Sequence, residues 1–204
     1  MTASVFSPSR EKRSTIAAML GIATATPPVF SQEHVLPLAI RLASATPDQE
    51  AWIKRIYRNS GVRSRGTVLA LGSEDFDALS SFYPSPASAE DRGPTTAQRM
   101  TKYAEYAPVL AESAVERAIS NAAIDADELT HLITASCTGF FAPGLDAALI
   151  QRLGLPSQMQ RQHIGFMGCH AAFNALAAAR DAIANKPSAR VLVCCVELCS
   201  LHFA

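Results

Sequence analysis

The chain has no surplus of either charge: 18 Lys and Arg offset 18 Asp and Glu. A neutral balance supplies no whole-molecule field for nucleic acid or an anionic membrane, so neither is an expected partner. No apolar run reaches the roughly 18 residues that a membrane-spanning helix needs. The cysteines are Cys137, Cys169, Cys194, Cys195 and Cys199; they form no C-x-x-C, and no histidine pair stands at ligand spacing. Neither a disulfide framework nor a metal site is expected from that pattern. Adjacent Cys194 and Cys195 on one strand would face opposite ways, which rules out a shared tetrahedral zinc. Internal repeats and low-complexity tracts are also absent. Charged residues make up only 18% of the chain against 49% hydrophobic, which implies a large buried share for 204 residues, in one large or two small domains.

Arg10, Lys12 and Arg13 precede "STIAAMLGIATATPP", an imitation of a secretory leader with an A-x-A-like end at Ala23 and Ala25. The competing reading is a buried first strand over 15–24, closed by Pro27-Pro28. Cysteines that look reduced favour the strand and a cytoplasmic location. Residues 1–13 are then a tail and 14–204 the folded domain.

Ser31 opens a helical stretch to about residue 45, which Pro37 should kink or shorten. Thr46-Pro47-Asp48-Gln49 starts a second helix with a capping box and an N1 proline. Trp52, Ile53, Ile56 and Tyr57 form its apolar face, and Gly61 is its stop. Residues 66–94 are irregular, with "SSFYPSPASAEDRGP" reading as an exposed excursion. A long helix over 96–123 carries Met100, Tyr103, Ala107, Leu110, Ala114, Val115 and Ile119 near one stripe. Then come a buried strand at 132–136, a loop at 138–144, a helix at 145–153 ended by Gly154, and a strand beginning near His163. An alanine-rich helix and a last strand over 190–197 complete the order. Alternating elements with near-continuous apolar strands specify an α/β layered fold with a mostly parallel sheet.

The stretch "HIGFMGCHAAFNALAAARDAI" places Cys169 where a strand ends and a helix begins. A helix N-terminus carries partial positive charge and unpaired N–H groups, which favour a thiolate, the form that attacks thioesters. Local physics supports a buried structural cysteine equally well. His170 does not pair with it, because neighbours on a helix point about 100° apart. His163, His34 and His131 do not read as its base either.

"TASCTGFFAPGLDAALIQRLGL", "GFMGCHAAFNAL" and "ARVLVCCVELCSLHF" resemble successive motifs of the type III polyketide synthases, the chalcone and stilbene synthase-like family of the thiolase superfamily. "LGIATATPP" is similar to the family's first strand and "IKRIYRNSGVRSR" to its early basic helix. The bacterial members resemble the chain most. The resemblance implies a thiolase-like layered fold, with 14–204 as the N-terminal half of a duplicated architecture. It also implies that Cys169 takes an acyl group from a CoA thioester. Decarboxylating malonyl-CoA then attacks that group in a Claisen condensation, with no metal or other cofactor.

By the same resemblance Cys137 and Thr138 line the cavity beside the nucleophile, and Cys199 and His202 help set chain length and cyclisation. Arg55 matches a basic residue that contacts CoA phosphate. The flanking family lysines fall on Trp52 and Asn59, so Arg58, with Lys54, Arg63 and Arg65, would rebuild that contact. Ala142 stands where plant members place a larger residue that crosses to the partner subunit. The family's catalytic histidine and asparagine and its Gly-Asp-Gly loop come later than Ala204. The expectation is therefore a half-enzyme, inactive alone, that forms a homodimer or joins a complementary C-terminal half. Other thiolase-superfamily condensing enzymes, of the ketoacyl-carrier-protein synthase or hydroxymethylglutaryl-CoA synthase type, fit "CTGFFAPG" less well. A non-catalytic dimerising subunit is the reading from a different class.

Overall fold

The structure, a computed structural model, describes residues 16–71, 81–88 and 90–202, so the tail expected at 1–13 lies outside them. Its frame is a three-stranded parallel sheet. β3 (His131–Ser136) is central, with β4 (Gln160–Gly165) on one side and β5 (Val191–Cys195) on the other. The register aligns His131 with both Gln160 and Val191, so the three strands end at nearly one level. A separate antiparallel ribbon joins β1 (Val29–Ser31) to β2 (Ser64–Gly66).

Alternation along the strands divides the core in two. Leu132, Leu192 and Cys194 face α3 (Thr96–Ala122) and α4 (Leu145–Leu153), where Ala107, Ala111, Val115, Leu145 and Leu149 complete the larger cluster. Ile133 and Ala135 face α5 (Ala171–Asn185), which presents Ala171, Ala175 and Ala179 to them. Burial on both faces explains why the middle of β3 reads as apolar on both sides, with Thr134 and Ser136 buried beside Leu132, Ile133 and Ala135. Small side chains at every fourth position let α5 lie close to the sheet. Its outer side leaves Phe173 and Leu176 exposed.

The helix starts follow the sequence. Ser31 caps α1 (Gln32–Ala43) by accepting from the His34 N–H, and α1 runs through Pro37 without ending. At α2 (Pro47–Asn59) the Gln49 N–H donates to Thr46 Oγ1 at 3.3 Å while Gln49 Oε1 accepts from the Thr46 N–H at 3.2 Å. Gly61 follows its end with φ +71°, a left-handed turn that favours glycine. Gly154 ends α4 the same way, with φ +62°.

Four expectations need correction. The buried first strand does not form: 16–28 has no strand partner, and Ile16, Met19, Leu20 and Ile22 are exposed. The segment lies along α3 instead, held by Asn121 donating to the Ile22 carbonyl at 2.9 Å and Arg117 donating to the Thr24 carbonyl. Gly21 permits this approach, since a Cβ there would meet the Ala118 oxygen at 2.5 Å. The strand begins only after Pro28. Second, the apolar face of α2 is narrow: Ile53 is buried, whereas Trp52 is 64% exposed. Third, the irregular excursion is not all surface. Val68–Ala70 is buried, and Tyr83 is buried with its hydroxyl donating to the Ser200 carbonyl at 2.8 Å. β5 also closes at Cys195, two residues short of the expected end. Cys194 and Cys195 do face opposite ways, the first buried and the second exposed.

Among the described residues no helix is long and apolar enough to cross a membrane. Leu132 is fully buried at the centre of the sheet. Replacing it with alanine should cost about 2–5 kcal/mol in urea unfolding followed by circular dichroism. Leu176→Ala, on the exposed side of α5, should change stability by less than about 0.5 kcal/mol.

Candidate active site

Parallel strands of equal extent bring the segments that follow them to one edge of the sheet, where α/β folds bind ligands. Cys137 and Thr138 follow β3, the turn bearing Cys169 follows β4, and Glu197 to His202 follows β5. The turn after β4 is sharp. Phe166 has φ +60° and Gly168 φ +59°, and a 3-10 turn, Gly168–His170, leads into α5. A left-handed backbone is free for glycine but costs a bulky residue about 1–3 kcal/mol. Phe166 is edge-to-face with Phe140 of the loop after β3, ring centres 6.0 Å apart, which offsets part of that strain. Cys169 emerges from this turn exposed, one residue before the His170 N-cap of α5.

The neighbouring thiol is Cys137, whose Sγ lies 3.5 Å from the Gly168 carbonyl and donates to it. Glu197 organises the backbone beside it. Its carboxylate accepts from the Cys137 N–H at 3.0 Å, the Thr138 N–H at 3.0 Å and Thr138 Oγ1 at 2.6 Å. Thr138 Oγ1 in turn accepts from the Leu198 N–H at 2.8 Å. His202 Nε2 is 2.6 Å from the Thr138 carbonyl, and because a carbonyl only accepts, Nε2 carries the proton. The structure thus brings Cys137, Thr138 and His202 together and joins them to the Cys169 turn.

Cys199 shares the last 3-10 turn with His202 but opens on a different space. It lines a cavity of about 330 Å³ with Phe30, Val35, Leu38 and Tyr83, whereas His202 borders a groove of about 290 Å³ between α1 and α2. Arg55 and Arg58 stand exposed on α2, and no hydrogen bond ties them to the Thr138 cluster. His170 rests against Phe173, and His163 Nδ1 is 2.9 Å from Thr134 Oγ1. Neither forms a dyad with Cys169.

A family pattern described as chalcone and stilbene synthases, N-terminal domain, matches residues 6–204. The chain belongs to the chalcone and stilbene synthase family. It is 34% identical over 189 residues to the alpha-pyrone synthesis polyketide synthase-like Pks18 of Mycobacterium tuberculosis, covering 92% of this chain and 45% of that protein. It is 32% identical over 194 residues to bisdemethoxycurcumin synthase of Oryza sativa subsp. japonica, covering 92% of this chain and 46% of the relative. The crystal structure of PKS-I from the brown alga Ectocarpus siliculosus superposes with a TM-score of 0.77 at 31% identity, over 92% of this chain and 50% of that one. The chain spans about half the length of the curated relatives it matches. These likenesses bear out the type III polyketide synthase resemblance and the thiolase-like α/β fold.

In this family member several structural supports escaped the sequence reading. Glu197 had a visible signal, as the one charged residue in the apolar run from Val191 to Leu201. Tyr103 was legible only as part of the α3 stripe, and Tyr83 and Arg99 had no signal. Tyr103 donates to Ser136 Oγ at 2.6 Å, and burial pushes its phenol up to about 12. Its ring occupies the place where a Cβ at Gly139 would sit, so the loop can pass only as glycine. Arg99 donates to the Leu201 carbonyl at 2.5 Å and the Pro94 carbonyl at 2.8 Å, fixing the last 3-10 turn.

The thiols differ in chemistry as well as place. Burial pushes Cys194 up to about 12, and burial followed by the Glu197 charge raises Cys195. Iodoacetamide at about pH 7.5, below the ordinary thiol pKa, should therefore modify the exposed Cys169 before Cys194 and Cys195 in peptide mass spectra. Faster labelling of a strand cysteine would contradict the assignment.

Proposed function

We propose that this chain carries the nucleophile of a type III polyketide synthase, an acyltransferase that builds polyketides from CoA thioesters. The observation that supports it best is the exposed Cys169 on a strained strand-to-helix turn, at the common end of three parallel strands. The Cys169 thiolate attacks the carbonyl carbon of an acyl-CoA, the thioester bond to CoA breaks, and CoA leaves as its thiol after taking a proton. The acyl group is then held on Sγ. Malonyl-CoA loses carbon dioxide, and its enolate carbon attacks that carbonyl. The bond to Sγ breaks, returning the thiolate and leaving a chain two carbons longer on CoA.

Cys137 and Thr138 form the wall next to the bound acyl group, held there by Glu197. Cys199 borders the cavity into which the chain grows, and His202 acts on it from the neighbouring groove, through Thr138. Arg55 and Arg58 meet the CoA phosphates, and the substrates need no metal or other cofactor. A second copy of the chain, or a complementary C-terminal half, covers the outer side of α5. The chain works in the cytoplasm.

Acyl transfer needs mainly a thiolate and access, whereas condensation also needs donors on the developing enolate oxygen. Among the described residues His163 and His202 are engaged by Thr134 and the Thr138 carbonyl. Losing one such donor costs on the order of a hundredfold or more in rate. Incubation with a fatty acyl-CoA or an aromatic acyl-CoA should add one acyl mass to the intact protein, and Cys169→Ala should abolish it. Adding malonyl-CoA to these 204 residues alone should yield little or no polyketide. An acyl mass that survives Cys169→Ala would overturn the reading.

A further inference from the structure

We infer that Cys137 and Cys169 form a peroxide-sensitive pair, in which an intramolecular disulfide reversibly removes the nucleophile. The inference rests on the reading of Cys169 as the reactive thiol and adds a switch to it.

Cys137 Sγ lies 3.5 Å from the Gly168 carbonyl oxygen, and that carbonyl belongs to the peptide leading into Cys169. The peptide is trans, which puts its oxygen about 3 Å from the next Cα, so Cys137 Sγ and the Cys169 Cα are no more than about 6.5 Å apart. Cys169 is exposed, so its Sγ turns into that space without displacing the core, and Cys137 gives up only a weak S–H donor bond. The backbone beneath Cys137 is fixed, because Glu197 accepts from the Cys137 and Thr138 N–H groups, both at 3.0 Å. Closure is then a matter of side-chain rotation and a small movement of the glycine turn. The other thiols are placed differently. Cys194 is buried against α3, Cys195 lies within β5, and Cys199 opens on the cavity it shares with Phe30 and Val35.

The two thiols have unequal access, as an attacking and a resolving cysteine do. Exposed Cys169 meets hydrogen peroxide first, and half-buried Cys137 follows. The Cys169 thiolate attacks one peroxide oxygen, the O–O bond breaks, and the released hydroxide takes a proton to become water. Cys169 is left as a sulfenic acid. The Cys137 sulfur then attacks the Cys169 sulfur, the S–O bond breaks, and the hydroxyl departs as water with the Cys137 proton. Two electrons have passed from the thiol pair to one peroxide, and a dithiol returns them by exchange. Without a second thiol in reach, more peroxide carries the sulfenic acid to a sulfinic acid, which dithiols do not reverse. A cysteine at 137 therefore protects the nucleophile while holding it inactive.

After brief treatment of the native chain with hydrogen peroxide, unreduced peptide maps should show the Cys137 and Cys169 peptides joined. The intact protein should lose the mass of two hydrogens, and dithiothreitol should restore both thiols. Cys137→Ser, whose hydroxyl can still donate to the Gly168 carbonyl, should lose the cross-link and gain oxygen at Cys169 that dithiothreitol does not remove. Cys137→Ala should behave the same way, and Cys199→Ser should keep the cross-link. The treated native chain should lose acyl loading from an acyl-CoA and regain it with dithiothreitol. Cys169 oxidised without joining Cys137, or joined chiefly to Cys195, Cys199 or a second chain, overturns the inference even if Cys169 accepts an acyl group. A Cys137–Cys169 cross-link in a chain that no acyl-CoA loads supports it and counts against the proposed reaction instead.

Discussion

One carboxylate ties the candidate site together. Glu197 follows β5 and reaches across to the end of β3, accepting from two successive backbone N–H groups and the Thr138 hydroxyl. Without it those N–H groups would point past the last rung of the sheet with no strand to receive them. Hydrogen bonds to a charged acceptor are worth about 1.5–3 kcal/mol each, more than neutral ones. The clamp sets where the loop after β3 begins, and with it the position of Cys137 against the Gly168 carbonyl. Thr138 passes the constraint back to β5 through the Leu198 N–H and on to His202 through its carbonyl.

The second support is the way α5 meets the sheet. Ala171, Ala175 and Ala179 let the helix settle on Ile133 and Ala135, so the connection from β4 has little length in which to turn. Phe166 and Gly168 absorb that turn in left-handed backbone, and Cys169 is the residue left facing outward. Close packing, strain and thiol exposure are consequences of one geometry. Cys194, one strand away and buried, has the same side chain and none of the access.

What was legible in the sequence was what local patterns encode. The capping box at Thr46, the glycine stops at Gly61 and Gly154, and the parallel α/β order each depend on a few neighbouring residues. Cys169 was legible because strand, glycine and alanine-rich helix stand in one short run. The partners of distant residues were not. Nothing near Tyr103 announces that its ring needs Gly139, and nothing near Tyr83 announces the Ser200 carbonyl 117 residues later. The stretch over 15–24 has the composition of a buried strand, yet a strand also needs a neighbour to receive its N–H groups. The described part of that segment, 16–24, is held along helix α3 by side-chain donors instead. Trp52 misled for a related reason: helical spacing specifies a shared face but not whether another element covers it.

Glu197 holds the ends of β3 and β5 as one site. Amide hydrogen exchange at Cys137, Thr138 and Leu198, compared between the native chain and Glu197→Ala, tests this most directly. The variant should speed exchange at Cys137 and Thr138 about tenfold or more, the effect of losing a charged acceptor, and at Leu198 by a smaller factor, because its acceptor, the Thr138 hydroxyl, is no longer anchored by Glu197. Amides inside the sheet, such as those of Ile133 and Gln162, should keep their protection. Unchanged exchange at Cys137 and Thr138 would contradict the claim.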